Sequence, residues 1–220
     1  MQALAFDAYG TLFDVLSVTS LCELLFPGHG TALAVTWRSK QLQYSLLRSM
    51  MERYADFWQV TQDALVYATK ALGLELTPEN RHRLMDAYRT LQAFPDVKPG
   101  LQALKARGLR LAILSNGAPE MLASATTSAG IDGLLDEIIS VDGIKVYKPN
   151  PRVYQLASKR LGVPTADIGF VSSNSWDVAG ATSAGLTAFW IQRLAAEPAE
   201  ELGYYAARVV HTITDLAGHI

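Results

Sequence analysis

The sequence predicts an α/β chain, a parallel sheet covered by helices on both faces, with a block of helices inserted after the first strand. Three observations predict it. Short apolar runs end in small polar residues, helical segments closed by glycine separate those runs, and one long stretch breaks the alternation with helical spacing alone.

The first run, residues 3–6, stops at Asp7-Ala8-Tyr9-Gly10-Thr11 and reads as a buried strand ending in a turn that carries polar groups. The pattern recurs at 109–114 before Ser115-Asn116-Gly117, at 137–139 before Ser140, and at 168–171 before Ser172-Ser173-Asn174. Apolar segments at 187–191 and 207–210 complete a set of about six strands. Helical segments lie between them at 99–107, 120–129, 151–161 and 178–184, each followed by Gly108, Gly130, Gly162 or Gly185. Strand alternating with helix implies a Rossmann-like parallel sheet. Ligands collect beyond the carboxyl ends of such strands, where Asp7, Ser115-Asn116 and Ser172-Ser173-Asn174 are delivered.

Residues 16–92 break the alternation. They are helical throughout, with apolar spacing such as Leu42, Leu46, Met50, Tyr54 and Phe57, Leu65, Ala68, Leu72. Stops at Pro27-Gly28 and Gly73, and a start at Thr77-Pro78, divide the block into roughly four helices. The expected organisation is therefore a core of residues 1–15 and 93–220 with a helical cap of residues 16–92. The segment 197–203 reads as polar surface.

Composition excludes several functions. The chain has 220 residues, half of them hydrophobic, and 19 basic and 21 acidic residues are interspersed to a net charge of −2. No basic stripe offers itself to nucleic acid or an anionic membrane, and no apolar run approaches bilayer length. The single cysteine, Cys22, can form neither an internal disulfide nor a thiolate cage, and its neighbours Leu21, Leu24 and Leu25 make it a small buried hydrophobe. No basic segment precedes the first apolar run, and Asp7 and Asp14 interrupt it, so no secretion signal is visible. A cytoplasmic protein is expected. His29, His82, His211 and His219 are scattered outside any metal-ligand spacing, and no glycine-rich phosphate loop follows a strand. Neither metal nor cofactor is expected.

Four motifs then stand in order: Asp7-Ala8-Tyr9-Gly10-Thr11-Leu12, Ser115-Asn116, Lys148-Pro149 and Ser172-Ser173-Asn174-Ser175-Trp176-Asp177. Over essentially its whole length, cap included, the chain resembles the haloacid dehalogenase (HAD) superfamily, and within it the (S)-2-haloacid dehalogenase (L-2-haloacid dehalogenase) subgroup. Phosphatases of the superfamily carry a second aspartate two residues after the nucleophile to protonate a leaving alcohol. Tyr9 stands there instead. They also hold Mg²⁺ with clustered carboxylates, whereas the fourth motif here is neutral at Ser172, Ser173 and Asn174. A halide leaves without a proton, so Tyr9 is no defect for dehalogenation.

The resemblance implies hydrolysis of short L-2-haloalkanoic acids to 2-hydroxy acids through an aspartyl ester, with inversion at carbon 2 and no cofactor. Asp7 would be the nucleophile, Lys148 would keep it ionised, and Thr11 would orient it. Arg38 would hold halide or substrate carboxylate, with Ser115 donating to the carboxylate and Asn116 to the halide. Asn174 and Asp177 would position the hydrolytic water and fix Lys148, with Ser172 in the same motif. Tyr9, Tyr154, Phe57 and Trp176 would line the substrate site.

Each residue has a plainer reading on its own. Lys148 reads as a solvated lysine, Arg38 as a helix-surface or intersubunit arginine, and Ser115-Asn116 as turn chemistry. Thr11 reads equally as a cap, Tyr154 as a helix tyrosine packed on the sheet, and Phe57 and Trp176 equally as core aromatics. The rival functions are a Mg²⁺-dependent phosphatase on the same fold and a non-catalytic binding module. Finally, residues 41–72 carry more apolar side chains than one core buries, Leu46, Leu47, Met50, Met51 and Trp58 among them, which predicts a homodimer.

Overall fold

The computed structural model describes residues 1–194 and 197–220. Six parallel strands form one sheet in the order β3-β2-β1-β4-β5-β6: β1 (Ala3–Phe6), β2 (Arg110–Ser115), β3 (Glu137–Ser140), β4 (Ile168–Ser172), β5 (Thr187–Ile191) and β6 (Arg208–Val210). This is the predicted α/β architecture. β1 sits between β2 and β4 with Phe6 in register with both Ile113 and Val171. The chain therefore leaves three neighbouring strands at one level, and the polar residues that follow them meet.

Helices alternate with these strands: α5 (Val97–Ala106), α6 (Pro119–Ser128), α7 (Pro151–Leu161), α8 (Ser175–Ser183) and α9 (Ile213–Ala217). α7 has the predicted bounds, because Asn150 caps its start by accepting from Arg152 N–H and Gly162 ends it in the left-handed region. α5 begins two residues before the predicted start, since Pro99 needs no N–H partner in a first turn. α8 begins three residues early for another reason. Asn174 stands at its N-cap but directs its amide elsewhere, as shown below.

Between β1 and β2 lie α1 (Thr19–Leu25), α2 (Gly30–Met50), α3 (Phe57–Ala71) and α4 (Pro78–Ala87). Thr77 and Asp56 accept from Asn80 and Gln59 N–H and cap α4 and α3. Here the helical spacing misleads at one point. α2 ends at Met50, and Glu52 takes a left-handed φ of 55°, so Tyr54 lies in a loop and not on a stripe with Leu42, Leu46 and Met50. The inner face of α2 is Leu33, Ala34, Trp37, Gln41 and Ser45, while Leu46, Leu47 and Met50 are exposed. Trp58 is half-buried beneath the Arg89 guanidinium.

Cys22 and the four histidines lie as expected, the first fully buried and the others exposed. Burial pushes the Cys22 thiol up to about 11, away from the nucleophilic thiolate. Among the described residues no helix is long and apolar enough to cross a membrane.

α5 rests on α9 without room to spare: a Cβ on Gly100 would lie 2.4 Å from Ile213 Cγ2 and 2.9 Å from the Ile213 carbonyl carbon. Gly100→Ala is expected to lower stability by roughly 1–3 kcal/mol through overpacking, with the rate per folded molecule unchanged. A denaturant titration alongside an activity assay checks both.

Candidate active site

The centre of the site is a cation with no access to water. Lys148, 1% exposed, places Nζ 3.0 Å from Asp7 Oδ1 and 3.0 Å from Asp177 Oδ2, with the Phe170 ring 4.7 Å away on another side. Burial alone would push its ammonium down. The carboxylates of Asp177 and Asp7 and their hydrogen bonds outweigh that and hold it above its ordinary value. Lys148 is no surface lysine.

Asp7 follows β1, and its N–H donates to Val171 O, so the turn begins pinned to β4. Its other carboxylate oxygen, Oδ2, lies 3.1 Å from the Thr11 hydroxyl and accepts from Asn174 Nδ2 at 3.2 Å. Thr11 accepts from Ser173 N–H at 2.8 Å, and its hydroxyl lies within donating distance of both Asp7 Oδ2 and Ser173 Oγ. Gly10 makes this loop feasible. Its φ of 98° suits glycine, and a Cβ there would press to 3.2 Å on Ser173 Oγ. Thr11 and Asn174 thus both hold Asp7 Oδ2 in place.

Asp177 is fully buried and both its oxygens are taken, Oδ2 by Lys148 and Oδ1 by the Tyr154 hydroxyl at 2.7 Å. Burial pushes its carboxyl above the ordinary range, with the Lys148 charge opposing and Asp7 adding. Two expectations change accordingly. Asp177 is bonded to Lys148 and Tyr154 and has no exposed surface at which to meet a water, and Asn174 donates to Asp7, with no hydrogen bond to Lys148 among the described residues. Tyr154 is likewise no wall of a substrate site: fully buried, it backs Asp177 and meets Phe170 edge-on. A Cβ on Gly180 would lie 2.4 Å from its hydroxyl, so glycine there lets α7 and α8 approach.

Ser115, Asn116 and Ser172 shape the strand ends. Ser115 Oγ accepts from Gly117 N–H, Asn116 Oδ1 from Lys148 N–H and Ser172 Oγ from Asn174 N–H. The two serine bonds are turn contacts and the Asn116 bond spans 32 residues, and together they leave the Ser115 proton and the Asn116 NH₂ group for other acceptors.

Above Asp7 the inserted helices bring a second set of residues. Arg38 on α2 donates from Nη2 to Tyr9 O at 2.7 Å and from Nη1 to Gln41 Oε1 at 2.7 Å. It is partly buried, and among the described residues no carboxylate lies within ion-pair distance of it. Tyr9 packs against Phe57 at 5.7 Å between ring centroids, and against Phe13 and Tyr88. Its hydroxyl is buried with no hydrogen-bond partner among the described residues, and burial holds its proton well above the usual tyrosine range. Trp176, in the first turn of α8, is half-buried and makes no ring contact or hydrogen bond among the described residues, so nothing links it to Asp7.

Several contributors carry no local signal. Arg193, just beyond β5, donates to Thr11 O at 2.8 Å and to Asp96 Oδ1 at 2.7 Å, lying 4.1 Å over the Phe94 ring. Its position after a strand end was the available clue. Ser173 and Gln41 also belong here, the latter three residues after Arg38 on one helix face. Tyr54 donates to Asp142 Oδ1 across 88 residues, which no spacing foretells. Among the described residues no group of three or more His, Cys, Asp or Glu side chains converges.

Comparison with known proteins agrees with this geometry. A family model of haloacid dehalogenase-like hydrolases matches residues 1–185. An (S)-2-haloacid dehalogenase of Pseudomonas sp. strain YL is 48% identical over 193 residues, 88% of this chain and 83% of that protein. The crystal structure of an L-2-haloacid dehalogenase superposes with a TM-score of 0.97 at 48% identity, covering 100% of this chain and 98% of the other. The L-2-haloacid dehalogenase of Xanthobacter autotrophicus, solved with chloropropionic acid covalently bound, has a TM-score of 0.94 at 39% identity over 99% and 97% of the two chains. With its sheet order, its four motifs and these relatives in agreement, the chain belongs to the family of haloacid dehalogenase-like hydrolases.

Proposed function

We propose that the chain hydrolyses short L-2-haloalkanoic acids to 2-hydroxy acids, inverting carbon 2 and using neither metal nor other cofactor. One observation carries this reading: Asp7 is a carboxylate held in place on both oxygens, in a turn that also meets Arg38, which has no counter-ion among the described residues. The relatives' activities and the covalently bound chloropropionic acid of the Xanthobacter structure support it.

In the first displacement an Asp7 oxygen attacks carbon 2 from the side opposite the halogen, so the C–O bond forms as the C–halogen bond breaks and the centre inverts. Halide departs as an anion without a proton. Arg38, the Ser115 hydroxyl and the Asn116 NH₂ supply positive charge and donors for the substrate carboxylate and the leaving halide. Tyr9 and Phe57 form the apolar wall that keeps water from the carbon. In the second step water attacks the ester carbonyl carbon, and the bond from that carbon to the oxygen on carbon 2 breaks. One proton of the water goes to that oxygen as the 2-hydroxy acid leaves, the other goes to solvent, and Asp7 returns as a carboxylate. The two donors on Oδ2, Thr11 and Asn174, then hold the oxygen on which charge collects. The metal-free reading rests on the donor set, because Asp7 and Asp177 amid neutral Ser172 and Ser173 offer too few oxygens to a hard cation. Tyr9 offers no acid for a leaving alcohol, which disfavours the phosphatase.

Residues 16–92 act as the cap over a core of 1–15 and 93–220, and the cytoplasm, where a lone thiol stays reduced, is the setting we assign. A homodimer is the assembly we infer from the cluster of Leu46 (37% exposed), Leu47 (42%), Met50 (80%) and Met51 (58%) at the end of α2. Trp58, under Arg89, is not part of that cluster. Sedimentation at micromolar concentration is expected to give twice the chain mass, and a monomer there removes the dimer.

Chloride release from 2-chloropropionate is expected to proceed unchanged with EDTA present, while a chromogenic phosphate ester with Mg²⁺ gives no turnover. The nucleophile is identified by isotope. With enzyme in excess in ¹⁸O water, the first turnover yields largely unlabelled product and heavy oxygen in the Asp7 peptide; heavy product with unlabelled Asp7 would make Asp7 a general base.

The pH dependence follows from Lys148. Its folded value is raised, so its charge and the stability tied to it are fully present below the ordinary 10.5 and are lost only as pH rises through the higher value. A profile of kcat/KM is therefore expected to show no alkaline fall from this group below 10.5. Lys148→Met, leaving two buried carboxylates unpaired, is expected to lose roughly a thousandfold in kcat/KM at every pH.

A further inference from the structure

Gln41 is a polar side chain in an apolar place. It is fully buried on the inner face of α2, while Leu46 and Met50 of the same helix face outward. Burying an amide is costly unless both ends are bonded, and here both are. Its Oε1 accepts from Arg38 Nη1 at 2.7 Å, so its NH₂ must face the other way, where it donates to Thr61 Oγ1 at 2.6 Å. The single Thr61 proton goes on to Phe57 O at 2.6 Å. A one-way chain of donors thus runs from the guanidinium through neutral Gln41 and Thr61 to Phe57 O in the first turn of α3, and Tyr9 O, also neutral, accepts from the other guanidinium nitrogen. Such a chain fixes direction without supplying charge. A glutamate would fill the same volume and accept the same bond, but it would pair with the guanidinium.

We propose that Gln41 is a positioning residue that anchors Arg38 while leaving it without a counter-ion, so that the charge of the guanidinium remains available to the substrate's anionic groups. The inference rests on the reading of Arg38 as the anion holder. Thr61 belongs to the same device, as the group that sets which way the amide faces. Substrate affinity is then governed by a neutral side chain that never touches substrate.

Two substitutions separate charge from packing. Gln41→Glu is nearly isosteric and keeps an acceptor for Arg38, whereas Gln41→Met removes both hydrogen bonds and brings no charge. If packing alone mattered, Gln41→Met would be the worse. The expected order is the reverse: Gln41→Glu raises KM for 2-chloropropionate and the inhibition constant of propionate together by about tenfold, and Gln41→Met raises both by only a few fold. Thr61→Val is expected to raise both constants as well and Thr61→Ser to restore them, which tests the relay even if Gln41→Glu fails to fold. The proposal is overturned if a folded Gln41→Glu stays within twofold of the parent or falls below Gln41→Met, or if Thr61→Val matches Thr61→Ser, while Arg38→Lys is crippled. A near-normal Arg38→Lys overturns the reading of Arg38 itself, and this inference with it.

Discussion

A charged ammonium inside a protein demands negative charge around it, and at Lys148 that demand organises everything else. Moving an ion of this size out of water costs several kcal/mol, and two carboxylates at 3.0 Å offset it. Those carboxylates follow different strands, Asp7 in the turn after β1 and Asp177 in the first turn of α8 after β4, so the sheet must hold β1 and β4 side by side in register for the charges to meet. Asp177 needs its second oxygen satisfied as well, and Tyr154 supplies that donor from α7. Asp7 needs donors on Oδ2, and Thr11 and Asn174 supply them. The result is a carboxylate bonded on both oxygens and paired with a buried ammonium inside a nearly dry site, the placement that a displacement at carbon requires.

The two carboxylates divide the work by burial. Asp177 is sealed and doubly bonded, while Asp7 is 6% exposed and lies in a loop that can be approached from the side of the inserted helices. On the proposed reading chemistry falls to Asp7 and support to Asp177. The same division appears among the cations, with Lys148 paired with two carboxylates and Arg38, among the described residues, held only by neutral oxygens. In the proposed reaction one cation tunes the nucleophile and the other receives the substrate's anionic groups.

Much of this was legible in the sequence because it is local. Asp7 and Thr11 share one turn, residues 172–177 share another, and strands that end in small polar residues announce where those turns converge. The sheet and its helices were readable for the same reason, with boundary shifts explained by caps. What lay hidden depends on distant partners. Gln41 meets Thr61 across 20 residues, Tyr54 meets Asp142 across 88 and Arg193 meets Thr11 across 182, and none of these pairs alters a local pattern. Tyr154 and Asn174 were placed near the right chemistry but with the wrong neighbour, since a motif gives position along the chain and not the direction of a side chain. The run Leu42, Leu46, Met50, Tyr54 misled because helical spacing persists in the letters after the helix has stopped.

Tyr147 ties the two halves of the site to each other. Its N–H donates to Ser49 Oγ at the end of α2, its hydroxyl donates to Ala55 O, and its ring stacks on Tyr54 at 5.0 Å, while the next residue in the chain is Lys148. The backbone that carries the central ammonium is thus fastened to the helical insertion on one side and to Asn116 on the other. Lifting the insertion to admit or release a small acid would draw on the very peptide that aims the ammonium at Asp7. The position of the ammonium beside Asp7 is thereby tied, through one peptide, to the position of the helices above it.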